Sequence, residues 1–373
     1  MALSVLPAPD TTVAAAPAIP AARTHAALWR VVESFAIPIG ALLVSLSVFA
    51  VFLAIAGADP LGVFASLYRG GFGSGYSWQN TLALAAPLML TALCTALPAR
   101  VGLIIIGAEG ALVLSGLAAA LTGIALADSS RGIAIAGMGL AGMAMGALWI
   151  GGISALRHYR GVNETISSLL LNYIAVAVLS FLIVGPLRDP ASLNHPSTHH
   201  IGEAHMLGSI GATSIHQGLI VGLVACVLLW LVTRRTTFGF AAAIAGGNRR
   251  VAQLCGLPVG RLVVVVSAMG GAAAGLAGAI EVAAVHGRAN SSLNAGYGYE
   301  GILIAFIARQ HPLAIIPVAI LFGGIRAASG LMQRDHELPA ATALVMQGIM
   351  FLIILAAESL YGRFALFRAK EPA

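Results

Sequence analysis

The chain has 373 residues, of which 59% are hydrophobic and only 9% charged. Soluble domains carry about 25% charged residues, so a soluble protein of this composition lacks the polar side chains to cover its surface. The net charge of +6, from 20 basic and 14 acidic residues, raises nucleic acid as a partner. The charges lie at the ends of apolar runs, however, and membrane topology accounts for them better.

The N-terminal residues 1–33 are rich in Ala and Pro and read as a disordered cytoplasmic tail. The apolar run 34–58 is longer than the signal-peptide core of about 7–15 residues and is taken as an uncleaved first span. Uncharged runs of bilayer length then recur to residue 357. They place spans at 35–57, 80–98, 101–125, 132–156, 165–186, 217–233, 261–281, 299–308, 313–330 and 340–359. Ten segments leave both termini on one side, and that side collects 14 of the 20 basic residues. The bias makes the termini cytoplasmic. The expectation is an all-α polytopic membrane protein with one transmembrane domain over 34–362 and a cytoplasmic tail over 363–373. The eighth segment, "GILIAFIA" (301–308), is too short to cross alone. With the preceding Gly/Tyr/Asn stretch it reads as a broken or re-entrant element near 289–308, tolerated where it is buried in protein or lines a cavity.

Within "VGLIIIGAEGALVLSGLAAALTG" (101–123) stands a single carboxylate, Glu109. A charge at membrane depth is costly and faces the bundle interior or a water-filled cavity. Two roles are open: contact with a transported molecule, or acceptance of hydrogen bonds from backbone freed by Gly107 and Gly110. Glu281, His286, Arg288 and Glu300 are further polar groups in or near spans, and Asn172 lies deeper in its span than Asn163 and Glu164. These six residues are the candidates for lining a path. Asn163 reads as an N-cap with Glu164 in the first helical turn. Gly142 and Gly146, and Gly271 and Gly275, form GxxxG pairs that let helices approach closely in lipid.

The external loop 186–216 holds five of the ten histidines, spaced as no defined metal site, and Cys94, Cys226 and Cys255 show no metal-ligand spacing. In the internal loop 234–260, Asn248 is placed to cap a short helix that stops at Gly256 and Pro258. Val251, Leu254 and Cys255 share one face of it. That face is suited to a partner's groove, the membrane surface or the chain's own bundle. The sole lysine, Lys370, precedes Glu371, so no Walker A loop is present; HExxH and GxSxG are absent too. No catalytic residue, metal or cofactor is expected.

"GAEG" (107–110), "GVNETISSLLLNYI" (161–174), "GLAGAIEVAAVHGR" (275–288) and "GYGYEGILIAFIARQHPL" (296–313) occur in this order. Together they resemble the permease subunits of bacterial ABC importers for simple sugars and nucleosides, over about residues 80–358. The similarity is greatest to the longer permease of nucleoside importers. The resemblance implies a cytoplasmic coupling helix around 246–256, with Gly246, Asn248, Arg249, Arg250, Ala252 and Gly256 as candidates to meet a separate ATPase subunit. It also implies a second permease chain, an extracytoplasmic binding protein or lipoprotein, a multi-pass place in the bacterial cytoplasmic (inner) membrane, and purine nucleoside cargo. This chain departs from the family pattern at Ile105 and Ala111, where Asn and Gln are common, and at Ala243 and Arg249, where Arg and Pro are. Rival readings are the same machine carrying ribose or another simple sugar, an ion-coupled secondary transporter using Glu109, Glu281 and Glu300, and a non-transporting scaffold.

Overall fold

The computed structural model describes residues 22–358 apart from 193–194, 212 and 340, with side chains from Ile39 to Ala357. Within them the chain forms thirteen α-helices and no strands. Seven are long and apolar enough to cross a bilayer: α3 (Gly75–Ala99), α4 (Ala108–Ala125), α5 (Arg131–Arg160), α6 (Glu164–Val184), α7 (Gly218–Arg235), α10 (Val259–Ile280, extended to His286 by a π-turn) and α12 (Pro312–His336). The long α1 (Ala22–Ile55), α13 (Ala341–Glu358) and a half-length α11 (Tyr297–Ile307) complete the ten expected segments. Because α1 begins at Ala22, residues 22–33 of the expected tail are helical; residues 1–21 and the 363–373 tail lie outside the described residues. A short α2 (Pro60–Phe72) follows α1, started by Asp59, whose carboxylate accepts from the Leu61 and Gly62 amides.

Most of α3, α4 and α10 is buried inside the bundle, whereas α5, α6 and α7 turn most of their apolar surface outwards. In water that arrangement would be prohibitive; in hydrocarbon it costs nothing, and association depends on close packing instead. The α5–α10 crossing shows how this is done. Gly146 lies on Gly271, and Gly142 on Gly275, as antiparallel neighbours, and a methyl group on Gly146 or Gly275 would run into the opposing carbonyl. Overpacking costs about 1–3 kcal/mol even where side chains can yield; here the obstacle is backbone. Gly146→Leu is therefore expected to remove the monodisperse peak of detergent-solubilised protein in size-exclusion chromatography. Gly152→Leu is expected to keep it, since a Cβ at Gly152 meets nothing within 4 Å.

One end of the bundle is basic. Arg157, in the last turn of α5, pairs with Glu164 at 3.0 Å, and Asn163 caps α6 by accepting from the Thr165 and Ile166 amides, as its sequence predicts. The 234–260 loop reaches this end with two helices rather than one. Thr236 starts α8 (Thr237–Gly247) by accepting from the Gly239 amide. The small residues of α8 let Gly246 seat directly on the Arg100 carbonyl at the end of α3. Asn248 then starts α9 (Arg249–Leu254), accepting from the Arg250 and Val251 amides. At the same end burial holds the His311 imidazole below its ordinary range, with Arg234 and Arg100 adding to the effect.

At the other end the histidine-rich loop folds onto the chain. His205 bridges the Ile201 and Ser129 carbonyls, and His199 stands 3.5 Å from Asp189. Among the described residues no three metal-binding side chains converge.

Candidate functional site

The span expected over 101–125 is helical only from Ala108. Residues 101–107 are non-helical, turning off the end of α3 at Val101 and Gly102 and running irregularly through 103–106, a correction to the sequence reading with a clear physical basis. Buried backbone outside a helix needs partners, and α6 supplies them from one face. Thr165 donates to the Ile104 carbonyl at 2.9 Å, and Ser168 accepts from the Ile106 amide at 3.0 Å. Asn172 donates to the Ile106 carbonyl at 2.7 Å and accepts from the Gly110 amide at 2.8 Å. The spacing of 165, 168 and 172 keeps all three on one helix stripe. Asn172 is 1% exposed; its side chain ties down the backbone that leads into α4 and also hydrogen-bonds Tyr299 of α11.

α4 thus begins part-way through the bundle, and α11 does the same from the other direction. α10 ends in the π-turn Glu281–His286, closed by Gly287 at φ +63°. The loop that follows is held by the external segment: Thr198 and Ile201 amides donate to the Ala289 and Gly287 carbonyls, and Leu207 donates to Ala283 inside the π-turn. Gly296, at φ +87°, turns the chain into α11. At 1.5 Å per residue its 11 residues span about 16 Å, roughly half of a 30 Å hydrocarbon core.

The N-termini of α4 and α11 meet at Glu109. Its Oε1 accepts from the Gly296 amide at 2.7 Å and its Oε2 from the Gly298 amide at 2.5 Å. The first amides of a helix lack internal partners and carry roughly half a positive charge. A carboxylate in the first turn of one helix, bonded to the first turn of another, is favoured by both dipoles. This answers why an isolated acid stands in an apolar run: its cationic counterpart is backbone. Contact is so close that a side chain at Gly298 would collide with the Glu109 backbone.

Around this junction lies a buried polar cluster. Arg326 of α12 donates from Nη1 to Glu300 at 2.5 Å and from Nη2 to the Ala295 carbonyl at 2.8 Å, and its guanidinium lies 4.3 Å from the Tyr297 ring centre. Tyr297 in turn hydrogen-bonds Glu281 through its hydroxyl, and Thr91 donates to the Tyr297 carbonyl at 3.0 Å. His286 is 3.5 Å from Glu281. The structure therefore gathers Glu109, Glu281, Glu300 and His286 about the start of α11, with Asn172 on the far side of the α4 terminus. Arg288 lies apart, half-buried in the loop after the π-turn.

Arg326 and Tyr297 are the members of this cluster that sequence reading missed. The signal was present: "GGIRAASG" puts an arginine among small apolar residues, where only an internal partner makes it tolerable. A charge near the end of a span also reads as a topology signal, and that hid it. Ile105 and Ala111, the two departures from the family pattern near Glu109, are fully packed in apolar core. At the basic end, Ala243, Arg249, Arg250 and Gly256 are exposed while Ala252 is buried beneath α9. Val251 and Leu254, 46% and 88% exposed, project away from the bundle.

The family profile described as branched-chain amino acid transport system, permease component, matches residues 77–355. The chain is 29% identical over 337 residues to a glucose ABC transporter permease protein of Haloferax volcanii, covering 87% of this chain and 88% of the relative. It is 28% identical to a guanosine ABC transporter permease protein of Bacillus subtilis, covering 90% of this chain and 96% of that one. A nucleoside ABC transporter permease protein of Lactococcus lactis is 25% identical over 85% of this chain and 90% of its own length.

Proposed function

We propose that this chain, which belongs to the family of branched-chain amino acid transport system permease components and is the multi-pass permease subunit of an ABC importer, carries nucleosides, purine nucleosides first among them. The observation that carries the cargo reading is the end-to-end similarity to a guanosine and a nucleoside permease. A second reading, the same machine importing a simple sugar, is favoured by the glucose permease of similar identity. The ion-coupled reading loses its main support, because Glu109 is engaged by backbone amides and Glu300 by Arg326.

In this reading the chain does no covalent chemistry. It sits in a bacterial cytoplasmic membrane beside a second permease, receives cargo from an extracytoplasmic binding protein, and couples to a separate ATPase through the α8–α9 segment. The exposed Val251 and Leu254 supply an apolar knob for a groove on that ATPase, ringed by Arg249 and Arg250. Ala252 and Gly246 tie the knob to the bundle, so that force on α9 reaches the ends of α3 and α10. Leu254→Asp is expected to cut uptake at least tenfold without altering the melting temperature of the isolated permease. Unchanged uptake would remove α9 from the coupling path.

Cargo is tested by uptake of labelled guanosine and labelled ribose in cells with and without this gene, with a protonophore added under conditions that preserve ATP. Gene-dependent guanosine uptake that survives the protonophore is the expected result. Gene-dependent ribose uptake without guanosine uptake would replace the cargo. Loss of uptake with the gradient, while ATP holds, would restore the ion-coupled carrier.

A further inference from the structure

We infer that the groove between α11 and α13 is a cargo subsite, built to accept N–H or O–H donors on Glu300 while a flat ring lies against Tyr299 and Phe351. This rests on the nucleoside reading above and assigns that cargo a place in this chain.

The groove measures about 440 Å³ and is lined by Asn294, Tyr299, Glu300, Gln347, Gly348 and Phe351, among others. Its volume falls within the roughly 300–1,000 Å³ of small-molecule sites, which combine apolar walls with a few placed polar groups. Glu300 is the decisive group. It is 3% exposed, its Oε1 is held by Arg326, and its buried Oε2 is held by nothing tighter than the side chain of Gln347, which hydrogen-bonds the carboxylate. Gln347 is itself 4% exposed. A carboxylate has lone pairs for more donors than these two, and this one borders the groove.

The chemistry of a further partner follows. Arg326 compensates the charge of Glu300, so the groove offers a strong acceptor and no surplus charge for an ionic ligand to neutralise. Gln347 adds both a donor and an acceptor. Tyr299, 38% exposed, and Phe351, whose ring packs on Phe306 at 6.1 Å, supply aromatic surface. A neutral molecule with a flat heterocycle and neighbouring N–H or O–H donors satisfies both halves. A nucleoside has them; a simple sugar has the hydroxyls and lacks the flat ring.

Gly348 gives a test that leaves the polar cluster untouched. It lines the groove, and a Cβ there meets nothing within 4 Å. A strain deleted for this gene is complemented with wild type, Gly348→Phe, Gln347→Leu or, as a control, Gly330→Phe, an equally open and exposed position on α12. Labelled guanosine uptake is measured at matched membrane levels. Wild-type uptake lowered at least tenfold by Gly348→Phe, with a raised KM in Gln347→Leu and no change in Gly330→Phe, supports the subsite. Guanosine uptake of wild-type KM and rate in both groove variants overturns the subsite and leaves the nucleoside reading standing. A wild-type chain that restores sugar uptake and no nucleoside uptake overturns both.

Discussion

Glu109→Ala is expected to eliminate folded protein or to lower its stability severely. The substitution removes the acceptor for two amides, those of Gly296 and Gly298, in a place where Glu109 is 0% exposed. Each buried donor left unmatched costs about 1–3 kcal/mol, so the pair costs about 2–6 kcal/mol, a large part of the roughly 5–15 kcal/mol that holds a domain together. Glu109→Gln is expected to fall between. Its one carbonyl oxygen serves one amide, while its NH2 group confronts the other. Melting of the detergent-solubilised permease ranks the three proteins, and guanosine uptake reads the consequence for transport. Wild-type melting and transport in Glu109→Ala would show that the carboxylate neither joins the two half-helices nor contributes to the path.

The same residue marks how far the sequence could be read. That Glu109 turns inward followed from the cost of charge in hydrocarbon. What it meets did not, because its partners belong to α11, far along the chain. Local signals were legible: Asn163 and Asn248 are caps because a short side chain reaches amides two and three residues ahead, and that geometry needs no tertiary knowledge. The Gly142/Gly146 and Gly271/Gly275 pairs were legible because closeness in lipid requires small residues. The irregular stretch 101–107 was not. Its composition is that of a helix, and only the Thr165, Ser168 and Asn172 stripe makes its irregular backbone affordable. Neither α8 nor the role of Arg326 was read, since apolar small residues in a loop and a charge near a span end each have a blander explanation.

Arg326→Leu carries the second large expected effect. Removing the guanidinium leaves Glu300 buried with no cation, and breaking a buried pair by deleting one partner costs about 3–5 kcal/mol. It also frees the Ala295 carbonyl and the face of Tyr297, so the turn that launches α11 loses its fastening to α12. Arg326→Lys is expected to recover little, because an ammonium lacks the two separate nitrogens that reach Glu300 and Ala295 and the flat face that lies on the Tyr297 ring. The double variant Glu300→Gln/Arg326→Leu is expected to melt higher than Arg326→Leu alone, since it removes the uncompensated charge. Its guanosine uptake should stay low, because the groove has then lost its strongest acceptor. Those two readouts separate the structural duty of the pair from its part in the path. Recovery of both stability and uptake in the double variant would mean that Arg326 and Glu300 serve only to hold each other in the membrane. Recovery of stability alone would mean that α11 is held in place so that Glu300 can face the cargo.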